Sequence, residues 1–206
     1  MSTLKLKVCG MRDPENIQGL SKLEPDFMGF IFYPKSSRFV ESLDEKIVLD
    51  LPPHIQKVGV FVNETVDHIC ACVSKFELDY VQLHGDEDKS FVKVLRTKGI
   101  NVIKVFRVLD TVPANIQDYV GLVDYFLFDT STVKYGGSGK QFDWNILKEV
   151  EMSVPFLLSG GIRLEDIEQI KALKLPMLYG IDVNSQFEVA PGLKDIARVR
   201  ELIKQL

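Results

Sequence analysis

The sequence predicts an α/β fold, a single (β/α)8 barrel (TIM barrel) that takes up residues 1–206. Three observations favour this fold. Apolar, strand-like runs recur at intervals of roughly 20 to 30 residues, which is the spacing of β/α units. Most of these runs are apolar throughout, as expected of parallel strands that are covered on both faces. Glycine and titratable residues concentrate directly after the runs, where barrels carry their active sites.

Strand-like runs alternate with helical patterns along the whole chain, which favours a closed barrel. The competing architecture is an open doubly wound sheet, whose dinucleotide-binding form carries Gly-x-Gly-x-x-Gly after its first strand. The sequence has Cys9-Gly10-Met11-Arg12 at that place instead. The eight expected strands are Lys5–Cys9, Phe27–Phe32, Lys57–Val62, Tyr80–Leu83, Asn101–Phe106, Tyr125–Phe128, Pro155–Leu158 and Met177–Ile181.

Helix starts and stops between the strands carry ordinary capping signals. Asp13 followed by Pro14 predicts a helix N-terminus, because aspartate accepts from free amides and proline fits the first helical position. Gly99 predicts the end of a helix over Glu87–Lys98. The other expected helices are Leu43–Leu51, Glu64–Phe76, Val112–Gly121, Trp144–Val150, Arg163–Leu173 and Lys194–Gln205.

The charge balance excludes some partners. With 25 basic and 29 acidic side chains the net charge is −4, so no basic stripe is available for a nucleic acid, and we expect no such partner. We also expect no membrane partner, because no apolar run is long enough to span a bilayer and no signal-peptide core is present. The three cysteines, Cys9, Cys70 and Cys72, suit neither disulfides nor zinc, which indicates a cytoplasmic protein without a metal.

Residues just past the strands should share one mouth of the barrel. Many of them are titratable groups or glycines, whereas such residues are much less frequent at the opposite ends of the strands. This asymmetry is typical of an active-site face. The set comprises Cys9, Gly10, Phe32, Pro34, Lys35, Arg38, Asn63, His84, Gly85, Arg107, Asp129, Ser159, Gly160, Gly161 and Asp182.

Two glycine-rich segments on this face suit a phosphate ligand. Tyr135–Lys140, with Gly137 and Gly139, follows the sixth strand, and Ser159–Ile162, with Gly160 and Gly161, follows the seventh. Glycine lets the backbone approach a ligand closely, and free helix amides bind phosphate. The alternative is that these glycines only permit tight turns.

Cys9 and Asp129 are candidates for proton transfer. A thiol titrates close enough to neutral pH to act as a base, and a buried carboxyl group with a raised pKa can act as an acid. The alternatives are an inert buried thiol and a carboxylate that caps a helix or loop. His84 leaves a Cys–His hydrolase open as well. Arg38 suits a carboxylate or phosphate but could equally be a solvated surface arginine.

An ordered set of segments over nearly the whole chain resembles the phosphoribosylanthranilate isomerase family of tryptophan biosynthesis. The resemblance implies a (β/α)8 barrel, no cofactor, and the Amadori rearrangement of N-(5-phosphoribosyl)anthranilate to 1-(2-carboxyphenylamino)-1-deoxyribulose 5-phosphate. The segments are Lys7–Met11, Met28–Phe32, Pro34–Arg38, Val58–Asn63, Val81–Glu87, Phe128–Asp129, Gly136–Trp144, Leu158–Ile162, Gly180–Ser185 and Pro191–Asp195.

Carried over by position, the resemblance gives Cys9 the role of general base and Asp129 that of general acid. Arg38 resembles the residue that meets the anthranilate carboxylate. The family more often has a small residue and then glycine around Gln186, so here a side chain replaces a flexible backbone site. Further substrate-binding residues are expected to be His84, Gly137, Gly139, Gly160, Gly161, Asp182, Asn184 and Ser185.

Two other functions remain open at the level of sequence. Another sugar-phosphate isomerase or epimerase could use the same barrel, although many of these need a metal and therefore clustered ligands. A non-catalytic phosphate-binding barrel would have no need of Cys9 and Asp129. In every case the expected partner is a small anionic molecule, and the chain is expected to be a monomer or a homodimer.

Overall fold

The computed structural model describes residues 4–40, 42–130 and 141–206. In this part of the chain eight parallel strands form a closed barrel, each strand pairing with the next and β1 pairing with β8. The predicted fold class is therefore confirmed. The strands are β1 Lys5–Val8, β2 Phe27–Ile31, β3 Gln56–Phe61, β4 Tyr80–Leu83, β5 Val102–Val108, β6 Tyr125–Thr130, β7 Phe156–Leu158 and β8 Leu178–Val183.

Six α-helices occur in the described part of the chain, and side-chain caps mark where most of them begin. The predicted start at Asp13 is confirmed, since its carboxylate accepts a hydrogen bond from the Asn16 amide at 2.8 Å. None of the described helices is long and apolar enough to cross a lipid bilayer. The helices are α1 Pro14–Ser21, α2 Glu45–Leu49, α3 Val66–Phe76, α4 Lys89–Thr97, α5 Ile167–Ala172 and α6 Ile196–Ile203.

The core has two parts, as alternation of side chains along the strands requires. A large cluster fills the space between the sheet and the helices. A smaller one lies inside the barrel, where the Phe27 ring makes edge contacts with the rings of Tyr80, Tyr125 and Tyr179. These four aromatic residues stand at or next to the first residue of their strands. The interior plug therefore sits at the end of the barrel opposite the mouth.

Two predicted helices are wrong in type. Val112–Gly121 contains a 3-10 helix over Ala114–Tyr119, and the helix expected at Trp144–Val150 is a 3-10 helix over Trp144–Glu149. Each has six residues and two buried anchors, Ile116 with Tyr119 and Trp144 with Leu147. So short an apolar stripe gives little packing energy to offset the cost of nucleating an α-helix.

The last predicted helix is wrong at its start. We expected Lys194–Gln205, but α6 begins at Ile196 because an antiparallel hairpin comes before it. The hairpin pairs β9, Glu188–Ala190, with β10, Leu193–Lys194. Gly192 in its turn has φ +82°, a conformation that favours glycine. This hairpin lies at the mouth and contributes two charged residues to the site described next.

Candidate active site

The mouth of the barrel brings together most of the predicted site residues. Cys9 follows β1, His84 follows β4, and Asp129 and Asp182 lie near the ends of β6 and β8. Strands β7 and β8 separate the strand of Cys9 from that of Asp129 around the ring. The thiol and the carboxyl group can therefore approach a bound molecule from different sides. Gly137 and Gly139 lie outside the described residues.

Cys9 is buried beside a lysine that sequence analysis did not consider. Because Lys7 and Cys9 are two residues apart on an extended chain, both side chains face the barrel interior. A Cβ atom on Gly29 would lie 2.8 Å from the Cys9 Sγ and 3.2 Å from the Lys7 Nζ, so both atoms converge over that glycine. The charge of the ammonium group also acts on the thiol and favours its ionised form.

Lys7 is fully buried and its charge is balanced from the last strand. Its Nζ donates to the Asp182 Oδ1 at 2.7 Å, and the Ser159 hydroxyl donates to the Asp182 Oδ2 at 3.1 Å. Burial lowers the pKa of Lys7, but Asp182 and the sulfur of Cys9 outweigh it and hold that pKa above its usual value. Lys7 is therefore a permanent cation beneath the thiol, and Asp182 binds this cation.

The Cys9 thiol experiences opposing influences. Burial is the largest and raises its pKa, while the Lys7 ammonium lowers it. The Asp182 carboxylate raises it and the Lys194 ammonium lowers it. The net result is a pKa above the usual thiol value. The thiol therefore holds its proton more tightly than an exposed cysteine does, and its thiolate is the stronger base.

Asp129 is held by His84 and by the backbone. The His84 Nε2 lies 3.2 Å from one carboxylate oxygen, and the Thr130 amide donates to the other at 2.8 Å. The Gln82 side-chain nitrogen lies 3.2 Å from the His84 Nδ1, so Nδ1 accepts and Nε2 carries the proton toward Asp129. Because His84 is paired with Asp129 rather than Cys9, the geometry gives no support to a Cys–His hydrolase.

Arg38 is bound to a glutamate of the hairpin. Its Nε and Nη2 donate to both carboxylate oxygens of Glu188, at 2.7 to 3.1 Å. The Lys194 Nζ donates to the same carboxylate at 2.5 Å and to the Asn184 Oδ1 at 2.8 Å. Burial raises the pKa of Glu188, but Arg38 and Lys194 outweigh it and bring that pKa below its usual value. Arg38 is therefore a fixed side chain at the mouth.

The glycine turn after β7 has the backbone geometry of a close-approach site. Gly160 and Gly161 have φ +90° and +67°. A Cβ atom on Gly160 would lie 2.8 Å from the Thr130 amide nitrogen, so a side chain cannot be accommodated there. Ser185 opens a short 3-10 helix next to Asn184. These four residues lie at the ends of neighbouring strands, as a phosphate site between β7 and β8 requires.

Sequence analysis missed Lys7, Glu188 and Lys194. A signal existed for Lys7, because placing Cys9 inside the barrel places the residue two positions earlier inside as well. Pro191-Gly192 gave a turn signal for the hairpin, which would have placed Glu188 and Lys194 opposite each other. Within residues 4–40, 42–130 and 141–206, no three His, Cys, Asp or Glu side chains are grouped so that they could hold a metal ion.

The chain resembles one enzyme family over nearly its full length. The family model described as N-(5'phosphoribosyl)anthranilate (PRA) isomerase matches residues 6–205. An N-(5'-phosphoribosyl)anthranilate isomerase from Parabacteroides distasonis is 46% identical over 206 residues, covering 98% of this chain and 92% of that protein. The match therefore extends over the whole barrel.

Solved structures give the same result. The phosphoribosyl anthranilate isomerase of Thermotoga maritima superposes with a TM-score of 0.82 at 32% identity, covering 98% of each chain. A phosphoribosyl anthranilate isomerase in complex with reduced 1-(o-carboxyphenylamino)-1-deoxyribulose 5-phosphate superposes with a TM-score of 0.78 at 28% identity, again covering 98% of each. The chain belongs to the N-(5'-phosphoribosyl)anthranilate isomerase family.

Proposed function

We propose that Cys9 and Asp129 act as base and acid in the isomerisation of N-(5'-phosphoribosyl)anthranilate. The protein is an isomerase of tryptophan biosynthesis, and its product is 1-(2-carboxyphenylamino)-1-deoxyribulose 5-phosphate. The observation that carries the proposed roles is the placement of a buried thiol and a histidine-bound carboxyl group on separate strands around one mouth. The substrate is a small phosphorylated molecule, which matches the glycine turn at Gly160.

The first step is opening of the ribose ring. Protonated Asp129 gives its proton to the ring oxygen, the bond from that oxygen to the anomeric carbon breaks, and the substrate nitrogen becomes an iminium. The resulting Asp129 carboxylate is then stabilised by the Thr130 amide and by the Nε2–H of His84. These donors interact more strongly with the charged carboxylate than with the neutral acid, so they favour the transition state of proton release.

The second step is removal of the proton from the neighbouring sugar carbon. The Cys9 thiolate takes this proton, and the electron pair of the broken C–H bond neutralises the iminium to give an enolamine. Tautomerisation of the enolamine gives the ketone of the product. All atoms of the substrate are retained, and no external oxidant or reductant takes part. General acid and general base steps of this kind each contribute about 10²- to 10⁴-fold in rate.

Binding groups away from the reacting carbons would hold the sugar in place. We assign the phosphate to Gly160, Gly161, Asn184 and Ser185, with Gly137 and Gly139 as further expected contacts. We assign the anthranilate carboxylate to Arg38, whose orientation is fixed by Glu188. His84 and Asp182 would act at the mouth through Asp129 and Lys7 respectively. Anchoring at both ends places the reacting carbons between the thiol and the carboxyl group.

We further infer that residues 1–206 act as a single catalytic domain in the cytoplasm, as a monomer or a homodimer that binds no nucleic acid. One barrel with one mouth supports the single domain. Light scattering coupled to size-exclusion chromatography will distinguish one copy from two. The other sugar-phosphate isomerases and the non-catalytic barrel are less well supported, because the family match covers both strands that carry Cys9 and Asp129.

The experiment that tests the activity follows the loss of fluorescence of freshly prepared phosphoribosylanthranilate. We expect rapid turnover that persists in the presence of a metal chelator. Mass spectrometry of the product, before and after reduction by borohydride, identifies it as the ketose phosphate. Absence of turnover by folded protein would contradict the proposal. Turnover that chelation abolishes would instead favour a metal-dependent sugar-phosphate isomerase.

A further inference from the structure

A buried cation, Lys7, lies directly beneath the proposed base, and neither of the two proton transfers described above involves it. Lys7 has no exposed surface, and Cys9 is 4% exposed. Long buried lysines are uncommon in proteins because removing an ammonium group from water is costly. Lys7 lies in the barrel interior nonetheless, where its charge is paired with the buried Asp182 carboxylate at 2.7 Å.

The position of Gly29 brings the ammonium and the sulfur together. Any side chain on this β2 residue would contact both atoms, at 2.8 Å from the Cys9 Sγ and 3.2 Å from the Lys7 Nζ. The missing side chain thus leaves a shared space in which the two groups meet. Because this space is closed to bulk water, an interaction between the charges is only weakly screened.

The partners of Lys7 keep it charged and fix its direction. The Asp182 carboxylate lies 2.7 Å from the Lys7 Nζ, and the Ser159 hydroxyl binds the other oxygen of that carboxylate. The remaining charged group that acts on Cys9 is Lys194 of β10, which is itself neutralised by Glu188 at 2.5 Å. Of the two cations, Lys7 has the larger effect on the Cys9 thiol, and its Nζ is the one that meets the sulfur over Gly29.

We propose that Lys7 is a positioning residue that stabilises the Cys9 thiolate in the isomerase reaction, with Asp182 and Ser159 holding its ammonium group in place. The inference rests on the proposed role of Cys9 as general base. The lysine exchanges no proton with the substrate. When the thiol loses its proton, the negative sulfur gains a direct hydrogen bond from the ammonium. When the thiolate takes the substrate proton and becomes a neutral thiol, this interaction weakens, and ionisation of the thiol restores it.

The test measures the pH dependence of Cys9 alkylation by iodoacetamide, followed on the Cys9 peptide by mass spectrometry so that Cys70 and Cys72 do not interfere. The variant Lys7→Met replaces the lysine by a neutral side chain of similar length. In this variant the pH midpoint of Cys9 alkylation is expected to rise by at least one pH unit. The alkylation rate near pH 7 then falls about tenfold, because one unit of pKa changes the thiolate fraction tenfold. An unchanged midpoint in the folded variant would overturn the proposal.

Lys104→Met is the matched control. Lys104 is also a buried lysine with a carboxylate partner, Glu87 at 2.9 Å, but it is not among the charges that act on Cys9. Its removal breaks a buried ion pair of the same kind and should not change the pH midpoint of Cys9 alkylation. If both variants shift the midpoint equally, the effect is a general loosening of the barrel and the proposal fails.

A double variant guards against misfolding of Lys7→Met. Lys7→Met with Asp182→Asn leaves no unpaired buried charge, which is the main cause of instability after removal of one partner. The midpoint is still expected to rise above that of the wild-type protein, although by less, because the cation acts on the thiol more strongly than the carboxylate does. A midpoint at or below the wild-type value would contradict the inference.

Steady-state turnover distinguishes failure of this inference from failure of the proposed function. Lys7→Met should lower kcat with KM little changed, and activity should recover as the pH is raised, which a purely structural defect would not show. If Cys9→Ser retains full activity, the role of Cys9 as base fails while the alkylation midpoints still report whether Lys7 stabilises its thiolate. If the midpoints are unchanged while Cys9→Ser is inactive, the role of Lys7 fails alone.

Discussion

At the scale of single residues, the position of the reacting thiol depends on the absence of a side chain at Gly29. The missing side chain leaves the space in which the Cys9 sulfur and the Lys7 ammonium meet. We expect Gly29→Ala to push both atoms aside and to lower kcat by about tenfold or more, since a displacement of about 1 Å can cost 10²-fold. The measurement is steady-state turnover of phosphoribosylanthranilate with folding checked by circular dichroism.

Gly19→Ala is the control for this substitution. A Cβ atom on Gly19 in α1 would meet its nearest neighbour, the Ile196 Cγ1, at an ordinary 3.5 Å. Replacing glycine by alanine inside a helix is expected to stabilise the protein by roughly 0.5–1 kcal/mol and to leave turnover unchanged. Full activity of Gly29→Ala would show that the space beside Cys9 is not needed for catalysis.

The raised pKa of Cys9 predicts how the rate depends on pH. The base must be ionised to take the substrate proton, and burial holds its pKa above the usual thiol value. The ionised fraction of the base therefore grows as the pH rises, whereas the general acid must keep its proton, so kcat/KM is expected to follow a bell-shaped profile. Stopped assays at several pH values in buffers of constant ionic strength measure this. A profile that is flat over the whole accessible range would contradict the assignment of the two groups as base and acid.

At the scale of elements, the hairpin of β9 and β10 fixes one side of the mouth. It is tied to α1, since the Asn16 side chain exchanges two hydrogen bonds with the Lys194 backbone, at 2.7 and 2.9 Å. Its Glu188 binds Arg38 from the loop after β2. Segments distant in sequence thereby hold the proposed carboxylate-binding arginine in one orientation.

Glu188→Gln is expected to weaken both substrate binding and stability. The buried Lys194 and the partly buried Arg38 lose their shared counter-charge. Removing one partner of a buried pair costs about 3–5 kcal/mol. KM should rise about tenfold as Arg38 loses its fixed orientation. Urea unfolding and steady-state kinetics measure the two effects. Glu201→Gln removes one partner of the exposed Lys204 pair and should change stability by less than about 1 kcal/mol.

The same glutamate predicts part of the response to acid. The pKa of Glu188 is lower in the folded protein than its usual value of 4.5, so its contribution to stability is present above that value. The contribution is lost as the pH falls further, through the folded-state pKa. The difference in unfolding free energy between wild type and Glu188→Gln should therefore shrink below about pH 4.5. A difference that stays constant down to pH 3 would contradict this account.

At the scale of the whole molecule, stability and chemistry lie at opposite ends of the barrel. Phe27 and its three tyrosine neighbours fill the interior near the strand starts, away from Cys9 and Asp129. Phe27→Ala is expected to cost about 3–5 kcal/mol of unfolding free energy, as removal of a buried ring usually does. Turnover at a temperature where the variant is folded should stay within about twofold of wild type. A large loss of kcat without a loss of stability would contradict the separation of stability and chemistry between the two ends of the barrel.

The features that could be predicted from the sequence are those set by residues close together in the chain. The strands were predictable because continuous apolar runs such as Phe27–Phe32 report burial on both faces. Cys9 and Asp129 were predictable as mouth residues because each ends or follows such a run. The 3-10 helix at Ala114–Tyr119 was not, since its type is decided by tertiary packing of a few anchors.

The charged partners at the mouth were the least predictable part. Glu188 and Arg38 are 150 residues apart, and only closure of the barrel and the hairpin brings them together. Lys7 and Asp182 pair because β1 lies beside β8, in a register that no local pattern encodes. These pairs link the start of the chain to its end, and they lie at the mouth to which the proposed chemistry is assigned.

The most direct test of the account compares Cys9→Ser and Asp129→Asn with wild type in both turnover and binding of the reduced product analogue. Each variant is predicted to lose at least about 10²-fold in kcat, with the dissociation constant of the analogue within about threefold of wild type. Cys72→Ser, a buried thiol in α3 outside the mouth, should behave as wild type. Near-normal kcat in either variant, or binding lost in proportion to kcat, would contradict the central claim.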